Sequence, residues 1–207
     1  MYAISVSHPD KVYRDRTVDF FNQHIEAAVQ LDCDHMVVST GFAYLDVDAE
    51  DAFGWCAEAM GRIARKAEQE GVTLAVEPFT KYTTHICNEA SQLRRLLRTV
   101  NNPRLMGLAD TDVIATTAVD TFSTFLDVIG PENLGHVHFV DGNPGGHLVP
   151  AMVFWIWTGH WKSSRQSIIP VRWVWKCWTA AMSLPRSCDE AGRWTGTRKG
   201  YKRALRD

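Results

Sequence analysis

A short apolar run rich in β-branched residues, followed by a helical pattern, recurs along the first 150 residues of this 207-residue chain. The runs fall at residues 2–6, 35–40, 72–78, 105–110 and 134–141. Their spacing is roughly 30 residues, the length of one strand–helix–strand unit. Between them, apolar residues return at helical intervals. Val18, Phe21, Ile25, Ala28 and Val29 form one face, and Phe53, Cys56, Ala57, Met60, Ile63, Ala64 and Ala67 a second. Leu93, Leu96, Leu97 and Val100 form a third, and Val119, Phe122, Phe125, Leu126 and Ile129 a fourth. Gly71 stands where a helix-ending glycine belongs. A helix between successive strands carries the chain back to the end it started from, so those strands run parallel. The pattern predicts an α/β fold with a parallel sheet.

The glycine-rich phosphate loops GxGxxG and GxxxxGK[ST] are absent from the sequence, which argues against a dinucleotide fold and a P-loop. A (β/α)8 TIM barrel fits the alternation better. Such barrels take about 250 residues, so an incomplete barrel is expected, with its first strands absent and its last strand disrupted. The 45% hydrophobic content suffices for one core and excludes a disordered chain. No run of 18 or more apolar residues predicts a membrane span. Asp10, Lys11, Arg14, Asp15 and Arg16 exclude a secretory apolar segment at the start. The five cysteines are odd in number and never spaced CxxC, which points to a reducing, cytoplasmic setting.

In a parallel barrel the chemistry lies at the C-terminal ends of the strands. The run at 72–78 ends in Glu77-Pro78, and the run at 105–110 ends in Asp110, with Asp112 beyond it. The run at 134–141 carries His136 and His138 and ends in Asp141. Taken singly, each has an ordinary reading: a solvated glutamate before proline, an aspartate capping a helix, a histidine satisfied in the core. Taken together they are two acids and an imidazole on successive strand ends. That set suits a divalent ion such as Mn²⁺, Mg²⁺ or Co²⁺.

Three segments, LAVEPFTKYTTHICN, MGLADTDV and LGHVHFVDGNPGGHLVP, carry a resemblance. They resemble the sugar phosphate isomerase/epimerase family, whose barrel is of the xylose-isomerase type. Within that family they resemble ketose 3-epimerases, fructoselysine 3-epimerases among them. The resemblance covers roughly residues 2–150. It implies one divalent ion, Mn²⁺ foremost and Mg²⁺, Co²⁺ or Zn²⁺ otherwise. The implied ligands are Glu77, Asp110, His138 and a second glutamate on the last strand. It further implies that Glu77 exchanges a proton with the carbon beside a ketone, through an enediolate. His136, His85 and His147 become candidates for substrate contact. The implied partner is a small sugar, with no nucleic acid, in a homodimer or homotetramer. The sequence departs from the family at Thr83 and Val113, where family epimerases carry a substrate-contacting Glu and His. The sugar therefore does not follow from those positions.

The charge changes sign near residue 150. Residues 1–150 hold 11 Lys+Arg against 21 Asp+Glu, a formal charge of −10; residues 151–207 hold 11 against 3, a charge of +8. Seven of the eight tryptophans lie in that second part, which shows neither helical nor strand periodicity. Back-translation offers a reason. With the reading frame displaced at Ala151, the codons run on as Gly, an Asp-compatible codon and Gly, the family's continuation. The same displacement across residues 173–181 places a glutamate in a strand-like context. Residues 151–207 are accordingly read as an aberrant tail produced by a frameshift, which removes the second glutamate and leaves weak or absent activity. Two other readings compete. An endonuclease IV-like nuclease needs more strand-end histidines than His136 and His138, and an acidic barrel repels DNA. A non-catalytic module would instead bind nucleic acid through the basic, Trp-rich tail.

Overall fold

The computed structural model describes residues 4–42, 44, 46–116, 122–139 and 172–175. Five strands form one parallel sheet in sequential order: β1 (His35–Ser39), β2 (Thr73–Glu77), β3 (Leu105–Asp110), β4 (Leu134–Phe139) and β5 (Arg172–Trp175). Helix α1 (Lys11–Gln30) precedes β1, α2 (Ala49–Glu70) links β1 to β2, and α3 (Ala90–Val100) links β2 to β3. Helices α4 (Thr111–Thr116) and α5 (Phe122–Ile129) and a short 3₁₀ turn (Pro131–Asn133) lie between β3 and β4. None of the described helices is long and apolar enough to cross a membrane.

The local reasons are legible in the residues. Asp10 and Asp48 cap α1 and α2, their carboxylates accepting hydrogen bonds from Val12 and from Glu50 and Asp51. Gly71 ends α2 in the left-handed conformation at φ 74°, where a side chain would be strained. Helix α2 buries Phe53, Cys56, Ala59, Met60, Ile63, Ala64 and Ala67 against α1 and the sheet. Helix α3 buries Leu93, Leu96 and Leu97. Gly107 of β3 lets α3 approach closely, since a Cβ there would stand 3.0 Å from a Leu93 methyl. Strand β2 is buried at all five positions, as a central parallel strand covered on both faces should be. At the end of the sheet, Val37 of β1 is 41% exposed.

Three expectations differ from what the structure holds. Residues 4–6 do not form a strand: the Ser5 N–H donates to Thr17 Oγ1 of α1, so it is not spent on a ladder. The segment 172–175, for which no strand was expected, pairs in parallel with β4. Helix α4 was not expected either, because its six residues are too few to show a period. Tyr2, Val119, Asp141 and His147 lie outside the described residues, as does the tail from residue 151 apart from β5.

Candidate metal centre

Parallel pairing places successive strand ends side by side. Glu77 is the last residue of β2, Asp110 the last of β3, and His138 stands one residue before the end of β4. Asp110 and His138 are direct register partners. The consequence is a buried triad: His138 Nδ1 lies 2.7 Å from Glu77 Oε1 and 3.5 Å from Asp110 Oδ2. One ligand atom from each of the three residues falls within 4.8 Å of the other two. Two atoms that each sit about 2.1 Å from one ion are about 3–3.5 Å apart at octahedral to tetrahedral angles. The widest pair of the triad therefore has to draw in by no more than about 2 Å to close around a cation.

Asp110 is anchored from outside the site. Asp110 divides its labour: Oδ1 accepts hydrogen bonds from the Asp112 and Val113 N–H groups, at 2.8 and 3.3 Å. That is a helix cap, and it turns Oδ2 toward His138. The two readings of this aspartate, cap and ligand, are thus satisfied by its two oxygens. Beyond Glu77 the chain passes through Pro78 into a loop. There the Phe79 N–H donates to the Cys87 carbonyl at 3.1 Å.

Burial would depress the basicity of the His138 imidazole, but hydrogen bonds to Asp110 and Glu77, and their charges, push its pKa up to about 9. Two carboxylates and one imidazole in a desolvated place attract positive charge. A proton on His138 supplies some of it, and a divalent cation would supply more. Carboxylate and imidazole ligands suit Mn²⁺ and Zn²⁺ alike.

The other sequence candidates lie elsewhere. His136 is buried, two residues before His138 on the same face of β4, and presents an edge-to-face ring contact to it at 5.2 Å between centroids. It is not in the cluster of ligand atoms. His85 lies in the loop after β2, half-buried, with a buried Nε2 that has no hydrogen-bond partner among the described residues. Thr83 shares that loop, and its hydroxyl lies 3.4 Å from that of Thr80. Val113 is buried at the start of α4. Sequence reasoning missed Asn88, whose amide closes the loop that follows Glu77. The signal was present, since asparagine favours bonds to nearby backbone, but it is too common to single out one residue.

A family model described as the xylose isomerase-like TIM barrel matches residues 1–162. Fructoselysine 3-epimerase of Shigella flexneri is 26% identical over 151 residues, covering 72% of this chain and 54% of that protein. The chain thus spans about half the length of that curated relative. Among solved structures, a D-psicose 3-epimerase determined in the presence of D-fructose aligns with a TM-score of 0.67 at 21% identity. That alignment covers 74% of this chain and 53% of the other. The apo 3-keto-D-glucoside 4-epimerase of E. coli aligns with a TM-score of 0.73 at 14% identity, over 100% of this chain and 75% of the other. At those identities the structures speak for the fold alone.

Proposed function

The chain belongs to the xylose isomerase-like TIM barrel family, and on that footing we propose that its strand ends serve metal-dependent epimerisation or isomerisation of a ketose, free, phosphorylated or amine-linked. One observation carries the reading: Glu77, Asp110 and His138 bring ligand atoms within 4.8 Å of one another at the ends of three adjacent strands. The matched epimerases support the substrate class. The endonuclease reading gains nothing from either.

A divalent ion, Mn²⁺ foremost, would supply positive charge beside the ketone oxygen and so ease loss of a proton from the neighbouring carbon. The protein's own groups do the rest. Asp110, held by its helix cap, and His138, held by its two acid partners, would supply two of the ion's ligands. Glu77 receives the proton. His136, His85 and His147 contact the substrate's other oxygens. Inverting a stereocentre requires a second group to return a proton to the opposite face. The displaced-frame reading removes the glutamate suited to that task, so we propose slow turnover by this chain and a frameshifted origin for residues 151–207. Sequencing the gene through the Ala151 codon tests the origin; an uninterrupted frame there ends that reading.

The activity is tested by deuterium exchange from solvent into a panel of ketoses, with and without Mn²⁺. Exchange at the carbon beside the carbonyl, dependent on Mn²⁺ and lost in Glu77→Gln, is expected. Exchange that persists in Glu77→Gln sinks the assignment of the base. Absence of exchange from every ketose, in a chain that binds Mn²⁺ and whose gene runs uninterrupted through the Ala151 codon, sinks the substrate class.

A further inference from the structure

We propose that Asn88 is the positioning residue for Glu77: its side-chain amide closes the loop that leaves β2 and so fixes the Glu77 carboxylate against Asp110 and His138. The inference rests on the metal-site reading above and concerns how this chain prepares that site.

Glu77 ends its strand, and Pro78 follows with its backbone φ fixed by the ring and no N–H to offer. The ladder holds Glu77 on the β1 side, where it pairs with Ser39, and the path of the chain beyond Pro78 sets the other constraint on the carboxylate. Two residues on, both backbone groups of Phe79 are held from the far end of the loop. The Phe79 N–H donates to the Cys87 carbonyl at 3.1 Å. The Phe79 carbonyl accepts from Asn88 Nδ2 at 2.9 Å. Asn88 Nδ2 also donates to the Thr84 carbonyl at 2.7 Å. The Asn88 N–H in turn donates to Gln92 Oε1 of α3 at 2.7 Å, which ties the clasp to a helix packed on the sheet. Thr84, Ile86 and Cys87 are buried beneath it.

The residue type matters. A neutral side-chain amide offers two N–H donors from one nitrogen, enough for both carbonyls. Aspartate has the same shape but presents acceptors to acceptors. Asn88 is not among the ligand atoms, so it acts through the backbone at Phe79.

The test compares the wild-type chain with Asn88→Asp, Asn88→Ala and a stability control, Leu97→Ala, taken from the buried face of α3. Two measurements are made: Mn²⁺ affinity by calorimetry, and the ring ¹⁵N resonances of His138 in metal-free protein. Both Asn88 variants are expected to bind Mn²⁺ about 10–100-fold more weakly, the usual cost of losing an outer support of a metal site. The His138 resonances should shift as Glu77 Oε1 moves away. Leu97→Ala should lower Tm while leaving both readouts in place. Wild-type affinity together with an unmoved His138 spectrum in Asn88→Asp would overturn the proposal. If the wild-type chain takes up no Mn²⁺, the metal reading fails by itself. The His138 spectrum then decides: moved in both Asn88 variants, the positioning role stands; unmoved, it falls.

Discussion

Two charged clusters of similar chemistry occupy opposite surroundings in this molecule. On the outside, between α1 and α2, Asp15 receives Lys11 at 2.7 Å and Arg62 at 2.6 Å, and Arg62 reaches Glu58 at 3.6 Å. Nearby, Lys66 is shared by Glu26 and Glu70. At the strand ends, Glu77 and Asp110 share one imidazole and almost no water. The outer groups alternate in sign and are solvated, so any one of them can leave without stranding the rest. The inner groups hold two acids against one weak base, with no solvent to spread the charge. Burial and the ratio of signs, not the residue types, make one cluster a fastener between helices and the other a receptor for a cation.

Removing an inner acid should break that contrast most severely. Asp110→Asn keeps an oxygen to cap α4 but replaces a ligand carboxylate with a neutral amide. Mn²⁺ affinity should fall by about 100-fold or more, measured by calorimetry, with the helical content unchanged. His138→Gln should do the same. Retained affinity in both variants would show that the cation sits elsewhere.

The pH profile separates the clusters next. In the folded, metal-free chain the His138 pKa is raised from 6.5 to about 9 by its two acid partners. A raised pKa means that the folded state holds the proton more tightly than the unfolded state does. The resulting stabilisation is fully present below about pH 6.5 and is lost as the pH rises through about 9. It is read as a Tm that declines across that window and stays flat in His138→Gln. Mn²⁺ must displace the same proton, so its affinity should rise with pH up to about 9, by at most tenfold per unit.

The contrast also explains what the sequence discloses. Strands β2, β3 and β4 are legible because they are apolar and buried almost throughout, and helices α2 and α3 because one long apolar face of each recurs at helical spacing. The strand ends follow from the strands, which is why Glu77, Asp110 and His138 could be named together. Residues 4–6 mislead because an apolar run does not say where its N–H groups go, and Ser5 gives its own to a threonine side chain. The pairing of Arg172–Trp175 beside β4 is set by the neighbouring strand, a property that no local pattern encodes. Asn88 escapes for the same reason: its importance lies in which two carbonyls the loop brings to it.

The smallest effect is expected at the outer cluster, and it sharpens the comparison because its window lies at the other end of the pH scale. Hydrogen bonds from Lys11 and Arg62 hold the Asp15 carboxyl down at about 2, below its ordinary 3.8. A lowered acid contributes stability above its unfolded pKa and loses it as the pH falls toward the folded value. The Asp15 contribution should therefore be complete above about pH 4 and vanish between there and about pH 2. Asp15 is solvated, so water and salt screen most of the attraction. Asp15→Asn should shift Tm at neutral pH by no more than about 3 °C. About 0.5 M salt, with a Debye length of only a few ångströms, should erase the difference. Mn²⁺ affinity should not change, since Asp15 lies on α1 and outside the ligand cluster. A Tm loss insensitive to salt, or a weakened ion site, would mean that the outer cluster is coupled to the strand ends and that the two are not independent devices.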